Sequence, residues 1–376
     1  MHTLRSAREL PDSPRAAHPR TPVIQAIRTG TPRYALPQEE AKRAAASRFP
    51  ELEASEDLLR VFDHAEIDER QLVRPADWYF EPRGFAEKNA IYREEALDLA
   101  TRLSTRALAA AGVDRAEVDA VVFVSTTGLS TPSLEADLIQ GLGLSPNAVR
   151  MPLWGLGCAG GAAGLARAAD LVRAGYEHVL LVAVELCSLT FQMGNEAKAN
   201  IIGTAIFADG GAAVVVGAER AAADDVDDDE AGRPLMRLLH AHSELLPESA
   251  GLTGWDVVDD GFKLRLSPEI PEVVATNLGR VIDASLAEAG WTVDDLDVVM
   301  VHPGGAKVIA GYEAVLGVPA ELLDATRHVL RRHGNMSSPT VLFVIAETIA
   351  RGLRGRGLVS ATGPGFSAEH LLVELV

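Results

Sequence analysis

Short runs of consecutive apolar residues alternate along this chain with stretches in which apolar residues recur at helical spacing. Helical spacing predicts one helix over about residues 94–111 and another that begins just after Cys158 and ends near Gly175. The all-apolar runs predict strands that are buried on both faces, at residues 120–124, 179–184 and 212–217. This alternation of helices and buried strands is typical of a layered α/β protein.

The second half of the chain repeats the pattern of the first. Residues 111–124 (AGVDRAEVDAVVFV) align without a gap to residues 289–302 (AGWTVDDLDVVMVH). Residues 157–175 align in the same way to residues 334–352, at a shift that differs by only one position. Two nearly equal shifts in the same order predict two fused copies of one α/β unit, packed about a pseudo-twofold axis.

The repeat divides the chain into a first half over residues 22–218 and a second half over residues 233–376. Residues 219–232 are acidic and lack a periodic apolar face, so we expect an exposed linker there. Residues 1–21 contain prolines and arginines without an apolar cluster, and we expect a disordered tail.

Composition narrows the class of protein further. The chain has 376 residues, of which 47% are hydrophobic, and a net charge of −18, which argues against nucleic acid or an anionic membrane as a partner. Its apolar runs are too short for a membrane span. Two cysteines and no signal peptide give no disulfide framework, so we expect a cytoplasmic protein.

Cys158 lies where a glycine-rich stretch, WGLGCAGG, meets the start of a predicted helix. The free N–H groups and the positive end of that helix favour a thiolate, so we expect a lowered pKa and a nucleophilic role. Two alternatives remain at this point. A lone cysteine is usually a packing residue, and Gly155, Gly157 and Gly160 also satisfy the G-x-G-x-x-G pattern of a dinucleotide-binding loop.

The repeat supplies two partners for Cys158. Asn335 is at the equivalent position in the second half, at the start of the equivalent helix, and His302 ends the repeat of the 120–124 strand. Each could instead be structural, as a hydrogen-bonding histidine or a helix-capping asparagine. Because strand ends and helix starts of the two halves converge at the pseudo-twofold axis, we expect the three side chains in one cavity.

The motifs around these residues resemble those of type III polyketide synthases, the chalcone-synthase-like branch of the thiolase superfamily. The resemblance covers about residue 23 to the C-terminus and is carried by GLGCAGG, IFADGGAA, VHPGG, GNMSSPT and GPG. It implies an α/β protein with the five-layered αβαβα thiolase-like fold, a homodimer, an acyl-CoA starter and a malonyl-CoA extender. It implies no metal and no redox cofactor. A ketoacyl synthase III-like enzyme with a single condensation is the alternative.

The resemblance also assigns roles. Cys158 would carry the acyl chain, and His302 and Asn335 would bind the enolate oxygen formed by decarboxylation. Phe207 and Leu264 would be gatekeepers of the cavity, Arg60 would lie near the CoA phosphates, and Thr131 would cross to the partner subunit. The remaining residues implied at the substrate site are Thr126, Thr127, Cys187, Thr190, Gly304, Gly305, Gly363, Pro364 and Gly365.

A cysteine at position 187 resembles bacterial members that take long fatty acyl starters and make alkylpyrones or alkylresorcinols. Cysteine behaves as a small hydrophobe, and a methylene chain gains about 0.8 kcal/mol for each CH₂ that it buries. The alternative is that Cys187 only fills a gap in the core. The sequence leaves open the choice between malonyl and methylmalonyl extenders, and between pyrone and resorcinol products.

Overall fold

The computed structural model describes residues 20–48, 56–192, 198–219 and 234–376. Within these ranges the strands are β1 (Pro22–Gly30), β2 (Tyr34–Pro37), β3 (Glu69–Leu72), β4 (Ala120–Val124), β5 (Val149–Leu153), β6 (His178–Leu186), β7 (Asp209–Ala218), β8 (Met236–Leu245), β9 (Thr253–Val258), β10 (Gly261–Leu266), β11 (Val298–Val301), β12 (Gly355–Gly363) and β13 (Ser367–Leu375).

The helices in the same ranges are α1 (Gln38–Arg48), α2 (Glu56–Asp63), α3 (Phe85–Ala111), α4 (Glu135–Leu142), α5 (Gly160–Arg173), α6 (Lys198–Ile206), α7 (Ile270–Glu288), α8 (Ala306–Leu316), α9 (Asp324–His333) and α10 (Ser338–Ala350). None of these described helices is long and apolar enough to cross a membrane. The predicted strands correspond to β4, β6 and β7, and the predicted helices to α3 and α5.

Nine strands form one mixed sheet in the order β11-β12-β13-β8-β1-β7-β6-β4-β5. The order is a mirror about the antiparallel pair β1–β8, where Val23 faces Arg237 and Ile24 faces Met236. On either side the next strand pairs antiparallel, and the outer pairs β4–β6 and β11–β12 are parallel. Among the nine described strands of this sheet, only β5 lacks a counterpart. The predicted repeat therefore appears in the topology.

Alternate residues of the strands point to opposite faces and separate the core into layers. Val122 and Leu181 in the first half, and Met300 and Val359 in the second, pack against α5 and α10 in the centre. The opposite faces of the same strands pack against α3 on one side of the molecule and against α7 and α8 on the other. The two halves of the sheet therefore form the two β layers, with α5 and α10 between them and the other helices outside. The order of layers is αβαβα, as predicted.

The two central helices approach each other through glycine. A Cβ atom on Gly161 in α5 would lie 2.1 Å from the backbone oxygen of Ser338, the first residue of α10. Only a residue without a side chain allows this contact. As a result, the two helices of the repeat begin side by side, and the residues just before them are brought together.

The predicted tail and linker fall mostly outside the described residues. Of the tail, only Arg20 and Thr21 are described, and Arg20 pairs with Glu177 at 2.7 Å. Of the linker, only Glu219 is described, and its carboxylate binds Arg237. Strand β1 begins at Pro22, the first residue after the predicted tail.

Candidate active site

Cys158 occupies a short 3-10 turn, Gly157–Ala159, directly before α5. Gly157 has a φ of +46°, and a Cβ atom there would lie 2.6 Å from Pro364, so glycine is required by both conformation and space. The amide of Gly157 donates to the hydroxyl of Thr126 at 3.2 Å. These contacts hold the cysteine at the place where the two halves meet.

Asn335 lies beside this turn, as the repeat predicts. Its Oδ1 and Nδ2 atoms are 3.9 and 4.0 Å from the sulfur of Cys158. Nδ2 donates to the carbonyl of Gly304 at 3.3 Å, and Oδ1 accepts from the amide of Ser337 at 2.8 Å. The amide nitrogen is therefore directed towards both the cysteine and the turn that follows His302.

His302 follows β11 immediately and is almost fully buried. Its backbone amide donates to Ser360 at 2.8 Å, which extends the pairing of β11 with β12. Neither ring nitrogen has a hydrogen-bond partner among the described residues. No hydrogen bond joins His302 to Cys158 in the described structure, and the side chains that contact the sulfur by hydrogen bonds are those of Ser337 and Asn335.

The protonation states differ from the sequence-based expectation. Burial raises the pKa of the Cys158 thiol to about 11, although hydrogen bonds from Ser337 and Asn335 lower it in part. Burial also lowers the pKa of His302 to about 3. The predicted lowering of the cysteine pKa was wrong, because loss of hydration outweighs the helix start. The resting pair is a neutral thiol and a neutral imidazole.

Two carboxyl groups are completely buried near the site, and the sequence analysis missed both. Glu185 accepts hydrogen bonds from Thr127 and Ser338, each at 2.8 Å. Asp209 accepts from the amide and the hydroxyl of Ser188, at 2.7 and 2.5 Å. Burial raises the pKa of each to about 7, since the hydrogen bonds compensate only part of the lost hydration.

An apolar cavity opens beside the site and is partly open to solvent. Four of the predicted substrate residues line it: Phe207, Leu264, Cys187 and Thr190. Tyr79 and Trp255 also line it and were missed, since nothing in their local sequence marks them. The rings of Phe207 and Trp255 are 6.3 Å apart.

Other predicted residues are distributed around the cysteine turn. A Cβ atom on Gly363 would lie 2.3 Å from the backbone oxygen of Leu156, so the GPG loop packs on that turn. Gly365 has a φ of +71°. Gly304 and Gly305 connect His302 to α8, and Gly304 binds Asn335.

Thr126, Thr127, Arg60 and Thr131 lie outside the apolar cavity, and the roles predicted for them stay predictions. Thr126 and Thr127 are buried but do not line the apolar cavity. Their hydroxyls are used internally, by the amide of Gly157 and by Glu185. Arg60 is exposed on α2 and does not line the cavity either. Thr131 is exposed, in the loop between β4 and α4.

Two domains of one protein family match the chain. The family described as chalcone and stilbene synthases matches with its N-terminal domain at residues 79–220 and with its C-terminal domain at residues 237–376. The chain belongs to this family. It is therefore a type III polyketide synthase, an acyltransferase of the condensing type, and the dinucleotide-binding interpretation of the glycines near Cys158 is not retained.

Relatives of this type III polyketide synthase agree with the assignment. A candidate chalcone synthase of Bacillus subtilis is 42% identical over 93% of the chain and 97% of its own length. A 1,3,6,8-tetrahydroxynaphthalene synthase of Streptomyces peucetius is 36% identical over 93% of this chain and 92% of its own length. The α-pyrone synthesis polyketide synthase-like Pks18 of Mycobacterium tuberculosis is 30% identical over 94% of this chain and 91% of its own length.

Solved structures confirm the thiolase-like fold. The 1,3,6,8-tetrahydroxynaphthalene synthase of Streptomyces coelicolor superposes with a TM-score of 0.87 at 28% identity, covering 94% of this chain and 99% of that chain. PKS-I of the brown alga Ectocarpus siliculosus superposes with a TM-score of 0.86 at 27% identity, covering 96% of this chain and 100% of that chain. The resemblance found in the sequence is thus confirmed at the level of family and fold.

Proposed function

We propose that this synthase condenses a long-chain fatty acyl-CoA starter with malonyl-CoA on Cys158, and cyclises the product to an alkylpyrone or alkylresorcinol. The observation that carries the proposal is the apolar cavity that Cys187, Phe207 and Leu264 line together. A methylene chain buried there gains about 0.8 kcal/mol per CH₂. The relative named for α-pyrone synthesis is in accord with a pyrone product.

Loading is the first proposed step. The sulfur of Cys158 attacks the thioester carbonyl of the starter, its proton moves to a ring nitrogen of His302, and CoA leaves as the thiol after taking up that proton. His302 is available for this step because neither ring nitrogen has a hydrogen-bond partner in the described part of the chain, and its neutral ring can accept a proton. Because burial raises its pKa, Cys158 rests as a thiol, and the proton transfer to His302 generates the thiolate that attacks.

Decarboxylation and condensation follow. Malonyl-CoA releases carbon dioxide, and the electron pair of the broken bond forms an enolate with charge on the thioester oxygen. The Asn335 amide and an N–H of His302 would bind that oxygen without ionising. The carbanion then attacks the acyl-Cys carbonyl, Cys158 leaves as thiolate, and the chain is longer by two carbons. No redox step occurs, so the proposed reaction requires no redox cofactor.

We also propose that the active species is a homodimer. Thr131 is in a loop that exposes Leu129, and Trp154 next to this loop is 51% exposed and donates to the carbonyl of Gly128. Exposed large apolar residues grouped in one area are typical of an interface. A second copy of the chain would cover Leu129 and Trp154 and bring Thr131 to the partner's cavity. Light scattering that finds an active monomer would contradict this proposal.

The substitution Cys187→Phe tests whether the enzyme takes a long-chain acyl-CoA starter. Cys187 is 3% exposed in the 3-10 turn after β6 and lines the apolar cavity, so a larger ring at this position must extend into the cavity. We expect kcat/KM for long acyl-CoAs to fall about ten- to a hundredfold, while short starters are spared. The matched control is Cys187→Ala, which removes the thiol without filling space and should keep the parent's profile.

Product masses from a panel of acyl-CoAs with malonyl- or methylmalonyl-CoA would identify the extender and the number of extensions. A single extension would favour the ketoacyl synthase-like alternative. An unchanged chain-length profile in folded Cys187→Phe, or equal product formation from malonyl-CoA alone, would refute the fatty starter.

A further inference from the structure

Arg70, on β3, is a buried cation that binds the end of a helix. It is 2% exposed. Its Nη1 donates to the carbonyls of Thr204 at 2.6 Å and Phe207 at 3.1 Å. Its Nη2 donates to the carbonyl of Ala205 at 2.7 Å and to the side-chain oxygen of Gln38. Three of these four acceptors are carbonyls at the C-terminal end of α6.

No carboxylate among the described residues forms an ion pair with this guanidinium, which burial leaves with a pKa of about 10, so that it stays charged at neutral pH. A buried charge without a counter-ion is costly. Here the compensation comes from the unpaired carbonyls and the negative end of α6, which attract a cation at this point. The helix end is therefore held by Arg70 together with Gln38, whose Nε2 also donates to the carbonyl of Ala205 at 3.1 Å.

The same helix end holds the backbone of Asn335. The amide of Asn335 donates to the carbonyl of Ile206 at 2.8 Å, and the carbonyl of Asn335 accepts from the amide of Ala208 at 2.9 Å. These two bonds enclose Phe207, whose own carbonyl is bound by Arg70. The guanidinium and the backbone of Asn335 are thus joined through one turn of chain.

Strand β3 also holds the other side of Asn335. The amide of Asp68, the residue just before β3, donates to the carbonyl of Arg331 at 2.8 Å, and Gln71 in β3 forms a side-chain hydrogen bond of 2.9 Å with His333. Gly334 completes the contact with a φ of +66°, and a Cβ atom there would lie 3.0 Å from the carbonyl of Ile206. The strand that carries Arg70 therefore fastens both helix ends that flank Asn335.

We infer that Arg70 is a positioning residue for decarboxylation, which sets the Asn335 amide and the Phe207 gate through the C-terminal turn of α6. The inference rests on the proposed role of Asn335. A donor in such a site must be held within about 0.5 Å of its working position, and a displacement of about 1 Å can cost a hundredfold in rate. Cys158 belongs to a different element, the start of α5, so its loading should not depend on Arg70.

The experiment measures two reactions of each variant separately. Loading is the mass shift of Cys158 with an acyl-CoA alone, and decarboxylation is the release of acetyl-CoA from malonyl-CoA in a Cys158→Ala background. For Arg70→Ala we expect decarboxylation to fall about a hundredfold and loading to stay within about twofold of the parent. Arg70→Lys keeps the charge but loses the planar guanidinium that donates to several carbonyls at once. For this variant we expect decarboxylation to fall about tenfold.

Guanidinium rescue separates positioning from general damage. Arg70 lines the apolar cavity, so Arg70→Ala leaves a space that added guanidinium ion can enter. We expect millimolar guanidinium to restore part of the decarboxylation of Arg70→Ala and to leave Arg70→Lys unchanged. Arg237→Ala is the matched control, because it removes an arginine that pairs with Glu219 and Glu374 far from the site. Its two reactions should stay at parent rates, with or without guanidinium.

Parent-level decarboxylation in both Arg70 variants, while Asn335→Ala loses it, would overturn the inference and leave the proposed function intact. An equal fall of loading and decarboxylation without rescue would also overturn it. If Asn335→Ala itself decarboxylates at the parent rate, the proposed role of Asn335 fails, and the inference fails with it.

Discussion

Replacing Glu185 with glutamine should make this protein more stable at alkaline pH. Glu185 is fully buried near the end of β6, and its carboxylate accepts from the amide of Thr126 at 2.9 Å and from the hydroxyls of Thr127 and Ser338. Glutamine has the same shape. Its oxygen can accept from Thr126 and Thr127, and its NH₂ group can donate to the hydroxyl oxygen of Ser338.

The magnitude follows from the pKa. Burial raises the pKa of Glu185 from 4.5 to about 7. Below pH 4.5 the group is protonated in the folded and the unfolded chain, and it has no effect on stability. As pH rises towards 7 the unfolded chain releases its proton first, so the folded state loses stability, and above the folded pKa the loss is constant. At about 1.4 kcal/mol per pKa unit the total loss is about 3 kcal/mol.

Urea unfolding of parent and Glu185→Gln at pH 5.5 and 8.5, at one protein concentration, measures this term. We expect the free energy of unfolding of the variant, relative to the parent, to increase by about 2 kcal/mol from pH 5.5 to 8.5. Asp209, whose pKa is also raised to about 7, leaves a residual pH dependence in both proteins. Glu94→Gln, on an exposed position of α3, is the control for loss of a surface charge. A difference between Glu185→Gln and parent that does not change with pH would refute the reasoning.

Three further predictions concern the site and the central helices. Asn335→Ala should lower malonyl-CoA decarboxylation about 10²–10³-fold, measured as acetyl-CoA release, because one oxyanion donor is lost; a parent-level rate would contradict this. Alkylation of Cys158 by iodoacetamide should rise about tenfold per pH unit between pH 7 and 9, because burial raises its pKa to about 11; a plateau below pH 8 would show a thiolate at rest. Gly161→Ala should cost about 1–3 kcal/mol in urea unfolding, because its Cβ atom would lie 2.1 Å from the backbone of Ser338. The control Gly141→Ala meets nothing within 4 Å and should not destabilise the protein.

The internal repeat made much of the fold and the central residues of the site predictable. All-apolar runs identified β4, β6 and β7, and the register of the repeat predicted that Cys158 and Asn335 lie together. This worked because burial on both faces leaves a strong local pattern, and because a duplicated unit places equivalent residues about one axis.

What the sequence did not reveal depends on contacts between distant parts of the chain. Arg70 is separated from α6 by more than a hundred residues, and nothing near it in the sequence marks it as buried. Glu185 lies in an apolar strand, where only the packed structure shows which donors meet its carboxylate. The pKa of Cys158 was misjudged for the same reason: the helix start is a local feature, whereas desolvation is a property of the assembled core.

The mirrored strand order has a consequence for how such a site can arise. In two identical copies, each residue at the start of α5 would face the same residue at the start of α10. A perfectly symmetric protein would therefore hold two thiols without a donor, or two amides without a nucleophile. The proposed difference in role between Cys158 and Asn335 requires the halves to diverge where they meet, while their packing faces keep one pattern. In this protein the fold keeps the symmetry, and the chemistry depends on breaking it.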